Sequence, residues 1–200
     1  MNIQQLTYLL SHPKTMLKHL NYKTYEIRHP KEPWISPSAI KFCDKVLKQK
    51  KMGFEWGSGR STLWFALRME FLCSIEHDVK WYKKIKFQID SNKIKNINYH
   101  LIPLNHDINE STQAYYSPLP DYVKAINKYP DETFELVIVD GHYRQACVLA
   151  ALSKIKKNGF LLIDDTNWLK LSEWNVPKEW PIIHQSFGKS QTTIWQRPLI

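Results

Sequence analysis

Residues 52–76, which read MGFEWGSGRSTLWFALRMEFLCSIE, decide the fold class of this chain. The short apolar run Met52–Trp56 leads into a turn containing Gly57 and Gly59, and a segment with apolar residues at helical spacing follows. The next apolar run, FLCSIE, ends on Glu76. Since glycine weakens a strand or helix interior by roughly 0.5–1 kcal/mol, two glycines so close together indicate a sharp bend or a close approach. The stretch therefore predicts strand, turn, helix and strand, which is one βαβ unit.

The rest of the chain continues this alternation. A lysine-rich helix is predicted at about 79–88, a strand at 97–104, and a helix at 146–155 that Gly159 would cap. The run FELVIVD (134–140) is β-branched throughout, which is typical of a parallel strand covered on both faces, and FLLIDD (160–165) follows as the next strand. Two late runs, PIIHQSFG and TTIWQRP, predict an antiparallel hairpin. The fold class is therefore α/β, a doubly wound, mostly parallel Rossmann-like sheet of about seven strands with a C-terminal antiparallel hairpin.

Residues 1–37 are expected to form an N-terminal helical extension. Their leucines recur at helical spacing before the proline-rich stretch RHPKEPWISP. A helix capped by Ser38 then opens the main domain, 38–200, and 200 residues suit one compact unit.

The composition indicates which binding partners and which cellular compartment to expect. The net charge is +9, but the lysines are scattered over several predicted elements and no nucleic-acid-binding motif accompanies them, so a nucleic-acid partner is not favoured. Three cysteines without CxxC spacing are typical of buried thiols in a reducing compartment. No signal peptide and no membrane span is evident, so we expect a soluble, cytoplasmic protein, and no pattern assigns an oligomeric state.

Polar residues cluster where the predicted strands end, and ligands of such sheets bind at that edge. Thr62 stands where the third glycine of a dinucleotide fingerprint would be, which disfavours NAD or FAD. Glu76 follows Gly57 by nineteen residues, close to the offset of about 20 at which an acidic residue meets ribose hydroxyls. Glu76 facing only water is an equal alternative when it is considered alone. Together, the turn and the carboxylate favour a ligand with adenosine but no pyrophosphate, which points to S-adenosylmethionine.

The stretches FEWGSGRSTLWFA, SIEHD, LVIVDGHYRQACVLAAL and NGFLLIDD, with the late FG and TTIW, carry a family resemblance. The chain resembles the class I S-adenosylmethionine-dependent methyltransferases over about residues 33–198. Within that family it is similar to a small branch that reads E-x-G-x-G-x-S-T, then E-H-D, then V-D-G-x-x-R.

The resemblance implies a set of cofactor contacts. Glu76 would hold the ribose hydroxyls, His77 would lie beside the adenine, and the segment from Asn105 to Asp107 would border that ring. Asp140 would face the donor methyl. The residues that would line the methionine and ribose portion are Glu55, Gly57, Ser58, Gly59 and Ser61.

The segment DGHYR supplies the first catalytic candidates, Asp140 and His142, with His142 as a possible base. A solvent-facing residue at the helix entry is the alternative for His142. Arg144 would either clamp an anionic substrate group or form an ion pair that fixes the loop. Asp164 and Asp165, also catalytic candidates, end the neighbouring strand and with Asp140 would suit a divalent cation, unless they cap or bond the local backbone instead.

The methyl acceptor is expected to be a small molecule or a glycan with an oxygen nucleophile, as the resemblance implies. Tyr115, Tyr116 and Trp168 are the candidates for the acceptor pocket. Two other functions stay open: a catalytically inactive nucleotide-binding or interaction domain with a basic surface, and a nicotinamide-dependent oxidoreductase, against which the missing third glycine argues.

Overall fold

A computed structural model describes residue 11 and residues 13–48, 50–105 and 113–199. It contains a seven-stranded sheet in the order β3-β2-β1-β4-β5-β7-β6. The strands are β1 (Lys50–Trp56), β2 (Met69–Glu76), β3 (Ile97–Leu101), β4 (Phe134–Val139), β5 (Ile155–Ile163), β6 (Ile182–Phe187) and β7 (Gln191–Gln196). The first five are parallel, and β7 joins β5 in antiparallel orientation, with β6 paired antiparallel at the edge. The predicted fold class is confirmed.

Helices cover both faces of the sheet. They are α1 (Pro13–Arg28), α2 (Pro37–Val46), α3 (Arg60–Ala66), α4 (Val79–Ser91), α5 (Asp121–Lys124) and α6 (Arg144–Ala151), with short 3-10 turns at Ala125–Lys128, Thr166–Trp168 and Leu171–Trp174. One apolar core joins α2 and α3 to one face of the sheet, and a second core joins α5 and α6 to the other. The chain order reverses between β1 and β4, which is the switch point where ligands bind in such sheets.

Two predicted helix ends are wrong. The cap of α2 is Ser36, whose hydroxyl accepts a hydrogen bond from the Ala39 amide at 3.2 Å, because Pro37 takes the first helical position and Ser38 falls inside the first turn. Gly159 lies within β5 instead of capping a helix. The pairing register of β4 and β5 shifts there, and a side chain at Gly159 would approach the Phe134 carbonyl to 3.2 Å.

The three cysteines are buried and free of disulfides, as predicted. In the part of the chain that the structure describes, every helix is too short or too polar to cross a membrane.

Candidate active site

A crevice of about 990 Å³ opens at the carboxyl ends of the central strands. Parallel strands deliver their final residues to one edge of the sheet, so the turns after β1, β2, β4 and β5 share this space. Residues from all four turns line it: Gly57, Ser58, Glu76, His77, Asp78, Asp140, Gly141, His142, Asp164 and Asp165. The structure thus brings together the glycine turn, the acid after β2 and the carboxylates after β4 and β5.

The two glycines of the turn after β1 have different roles. Gly57 has a φ of +88°, and a side chain there would meet the carbonyl carbon of Asp140 at 2.6 Å. This residue must therefore be glycine for both conformation and space. Gly59 has an extended φ of −179°, and a side chain there would meet nothing closer than the Ser61 hydroxyl at 3.8 Å. The sharp bend predicted from the pair rests on Gly57 alone.

Glu55 lies beneath the turn instead of at the crevice wall. Its Oε2 accepts hydrogen bonds from the hydroxyls of Thr62 and Ser74, both at 2.6 Å, and Thr62 in turn accepts from the Gly59 amide at 2.9 Å. Burial raises the pKa of Glu55 to about 7. Gly59 and Ser61 are likewise buried and do not line the crevice. None of these three predicted cofactor contacts lies at the crevice wall, and Glu55 instead holds the turn through Thr62.

Glu76 sits at the wall, but its carboxylate is already saturated. Oε2 accepts from the Ser58 amide at 3.1 Å and from the Ser58 hydroxyl at 2.6 Å. Oε1 accepts from the amides of His77 and Asp78 at 2.8 and 2.9 Å. Burial acts to raise the pKa of Glu76, but the hydrogen bonds from His77 and Ser58 outweigh it and lower the pKa. A ribose hydroxyl can therefore bond Glu76 only where the Ser58 hydroxyl gives way.

The two crevice histidines face each other across the end of β1. The ring centroids of His77 and His142 lie 4.6 Å apart. Burial and the neighbouring His77 lower the pKa of His142, which keeps this imidazole neutral near pH 7. Its Nε2 is buried without a hydrogen-bond partner among the described residues. Asp107, the other residue expected beside the adenine, lies outside the described residues, whereas Asn105 lies within them but does not line the crevice.

Three carboxylates and one guanidinium form the floor on the β4 and β5 side. One oxygen each of Asp140, Asp164 and Asp165 lies within 4.8 Å of the others. Arg144 forms ion pairs with Asp140 at 3.1 Å and with Asp165 at 3.0 Å. Of the two roles considered for Arg144, the geometry favours the ion pair that fixes the loop. The predicted divalent-cation site does not fit well, because a positive charge of the chain itself already bridges two of the three carboxylates.

Burial and the charge of neighbouring carboxylates raise the pKa values of Asp140 and Asp164. Burial, followed by the charge of Asp164, raises the pKa of Asp140, and Arg144 opposes the increase. The pKa of Asp164 rises to about 6 for the same kind of reason, burial first and Asp165 second. Asp164 accepts hydrogen bonds from the hydroxyl of Thr192 in β7 and from that of Ser190 just before this strand. Asp140 and Asp164 therefore hold protons more readily than ordinary surface carboxylates do.

The outer wall contains residues that the sequence analysis missed. Tyr22, Lys23 and Glu26 of α1 line the crevice, as does Lys189 between β6 and β7. Tyr22 and Glu26 are spaced i, i+4, so they share one helix face, which was the available signal. Of the predicted acceptor-pocket aromatics, Trp168 lines the crevice and its ring stacks on the Arg144 guanidinium at 4.4 Å. Tyr115 and Tyr116 do not line it, and Tyr116 packs on Tyr143 instead.

The crevice has a charge opposite to that of the whole chain. Six acidic side chains line it against three basic ones, whereas the chain carries a net charge of +9. The acidic residues are Glu26, Glu76, Asp78, Asp140, Asp164 and Asp165, and the basic residues are Lys23, Arg144 and Lys189. An acidic site on a basic protein favours a ligand with positive charge.

No family model and no curated protein matches the chain. Solved structures do resemble it. A methyltransferase-like protein from Silicibacter pomeroyi is 20% identical, with a TM-score of 0.60 over 84% of this chain and 89% of that one. A methyltransferase from Geobacter sulfurreducens is 10% identical, with a TM-score of 0.60 over 100% and 98% of the two chains.

A third similar structure, a predicted methyltransferase from Streptococcus mutans in complex with SAH, is 13% identical, with a TM-score of 0.54 over 78% of this chain and 93% of that one. At these identities the likeness concerns the fold. The chain shares the α/β fold of these three proteins.

Proposed function

We propose that this chain is an S-adenosylmethionine-dependent methyltransferase that acts on an oxygen nucleophile of a small molecule or a glycan. The observation that carries the proposal is the convergence of Gly57, Glu76 and Asp140 on one crevice at the switch point of the sheet. The SAH bound to the Streptococcus mutans protein of the same fold supports it.

The electrostatics of the crevice support the same ligand. The sulfonium of S-adenosylmethionine carries a positive charge, and the acidic excess of the lining residues would stabilise it. Two of the three basic residues that line the crevice are paired with its own acids, Arg144 with Asp140 and Asp165 and Lys23 with Glu26. A dinucleotide, with its two phosphates, is disfavoured by the same charge distribution.

The nucleoside would lie on the β2 side of the crevice. Glu76 is the proposed acceptor for the ribose hydroxyls once the Ser58 hydroxyl turns away, and His77 and His142 are proposed to lie against the adenine. Because the His142 ring lies 4.6 Å from the His77 ring, we propose that it lies beside the nucleoside and not at the methyl group. Glu55 would contribute indirectly, since it holds the turn through Thr62.

Asp140 is the proposed base. S-adenosylmethionine, when bound, would supply an electrophilic methyl group and leave as a neutral thioether, and Asp140 would accept the proton that the acceptor hydroxyl loses. Alignment supplies most of the rate, about 7–11 kcal/mol of the barrier, and base assistance about 10²–10⁴-fold. Its raised pKa makes Asp140 a stronger base than an ordinary carboxylate. Asp164 and Asp165 are proposed to support Asp140, directly and through Arg144.

Isothermal titration calorimetry with S-adenosylmethionine tests the proposal. We expect a dissociation constant below about 100 µM, and loss of about tenfold or more in Glu76→Gln, since the amide removes a charged acceptor. Asp131→Asn, at a surface carboxylate paired with Lys154, is the matched control. A folded protein that binds NADH and not S-adenosylmethionine would replace this proposal with an oxidoreductase.

Turnover separates the enzyme from an inactive binding domain. With labelled S-adenosylmethionine and a panel of hydroxylated acceptors, the wild type should transfer the methyl group and Asp140→Asn should lose about 10²-fold or more. Added EDTA should leave the rate unchanged, because Arg144 supplies the cation at the floor. Tight binding without transfer to any acceptor would favour the inactive domain.

A further inference from the structure

Helix α1 has two faces with different environments. Tyr22 on the inner face is 5% exposed and lines the crevice. On the outer face, Leu17, Leu20 and Ile27 are 60%, 49% and 78% exposed. At 100° per residue these three side chains fall within one arc of the helix, opposite Tyr22. Among the described residues, these three side chains form an apolar stripe that belongs to neither core.

Basic residues flank this stripe. Among the side chains of helix α1 that the structure describes, the charged residues are Lys23, Arg28 and a single acid, Glu26. Glu26 lies toward the crevice and is paired with Lys23 at 3.1 Å. On the helical projection, Lys23 and Arg28 lie on opposite sides of the stripe. A helix with exposed leucine and isoleucine between basic flanks has the pattern of helices that lie in a membrane interface.

We propose that α1 docks the protein on a lipid bilayer with anionic headgroups, with Leu17, Leu20 and Ile27 entering the headgroup boundary. The basic flanks would contact the acidic headgroups, whose attraction adds to the burial of the apolar stripe. A second copy of the chain suits this surface less well, because it would bring the same cations of two helices face to face.

Docking through α1 would place the crevice next to the bilayer. The inner face of the same helix lines the crevice through Tyr22 and Glu26, so the outer face and the crevice are one helix diameter apart, about 10–12 Å. The proposal concerns the surface of the protein and does not rest on its proposed reaction.

Co-sedimentation with vesicles tests the proposal. Phosphatidylcholine vesicles with phosphatidylglycerol should bind the wild type about tenfold or more tightly than pure phosphatidylcholine vesicles. Ile27→Ser and Arg28→Glu should each weaken binding to the acidic vesicles about fivefold or more. Helix α4 offers matched controls, because Phe87 is 72% exposed and Lys83 is exposed on a helix that is also basic. Phe87→Ser and Lys83→Glu should change binding less than about twofold.

Three results would overturn the proposal. They are equal binding to neutral and acidic vesicles, losses in the α4 controls as large as those in α1, and a dimer in light scattering that Ile27→Ser dissociates, which would assign the stripe to a second copy. Urea unfolding of each variant verifies its fold. Calorimetry with S-adenosylmethionine on the same samples tests the proposed function independently, so a failure of vesicle binding can be distinguished from a failure of ligand binding.

Discussion

At the scale of single residues, the contact between Ser58 and Glu76 controls access to the nucleoside side of the crevice. Ser58 donates both its amide and its hydroxyl to Glu76, and its carbonyl accepts from the Trp81 indole at 2.6 Å. The Ser58 hydroxyl thus takes the acceptor position that a ribose hydroxyl would need. A protein group competes with the ligand for the same lone pair.

We therefore predict that Ser58→Ala binds S-adenosylmethionine more tightly than the wild type. Removing the competing donor frees one net hydrogen bond of about 0.5–1.5 kcal/mol, which corresponds to about two- to tenfold in the dissociation constant. Isothermal titration calorimetry measures this dissociation constant directly. Ser153→Ala removes a serine–carboxylate hydrogen bond at the surface, with Asp131 at 2.9 Å, and should leave affinity unchanged. Weaker binding by Ser58→Ala would mean that the hydroxyl contacts the ligand instead.

Asp164 makes stability depend on pH. Its pKa is raised from 3.8 to about 6, so between these values the folded state holds a proton that the unfolded state releases. Stability should consequently fall as the pH rises from about 4 to about 6, by up to roughly 3 kcal/mol at 1.4 kcal/mol per pH unit. Asp164→Asn keeps an acceptor for Thr192 but cannot titrate. Urea unfolding should show a shallower decline in the variant, and parallel curves would contradict the assignment.

At the scale of elements, the two glycines of the turn between β1 and α3 look equivalent in the sequence but have different conformations and surroundings. Gly57→Ala should destabilise the fold by more than about 2 kcal/mol and abolish ligand binding, because its positive φ and the backbone of Asp140 exclude a side chain. Gly59→Ala has open space and an extended φ, so its stability should stay within about 1 kcal/mol of the wild type. Thermal unfolding and calorimetry compare the two variants. Equal effects of Gly57→Ala and Gly59→Ala would refute the difference proposed between these glycines.

Local sequence patterns predicted the strands of this fold better than the ends of its helices. The strands and the hairpin were predictable, because continuous apolar runs between turn signals have few alternatives. The helix ends were not. Ser36 and Ser38 are both acceptable caps, and the position of Pro37 selects between them. Gly159 fits a helix cap by sequence, but the register shift between β4 and β5 is a contact between distant segments.

At the scale of the whole molecule, the candidate site is assembled from parts that local patterns cannot join. The sequence placed acids after β2, β4 and β5, and the sheet brings them together as expected. It did not predict that α1 and Lys189 complete the wall, since these contacts depend on how the extension and the hairpin pack. Arg144 had two equal roles on sequence grounds, and the proximity of Asp140 and Asp165 favours the ion pair.

The charge distribution of the whole molecule predicts how ligand preference changes with pH. S-adenosylmethionine and S-adenosylhomocysteine differ by one methyl group and one positive charge, so the ratio of their affinities isolates the effect of charge in the crevice. Below about pH 6, protonation of Asp164 removes negative charge from the floor, and the raised pKa of Asp140 acts in the same direction. The floor would then favour the cationic ligand less.

We expect the affinity for S-adenosylmethionine relative to S-adenosylhomocysteine to rise about three- to tenfold from about pH 5 to about pH 8. Calorimetric titration of both ligands at each pH measures the ratio. In Asp164→Asn the rise should be smaller, because one titrating carboxylate is gone, whereas Asp131→Asn at the surface should reproduce the wild-type curve. A ratio independent of pH would show that the sulfonium does not lie near these carboxylates, and the proposed pose of the donor methyl beside Asp140 would be incorrect.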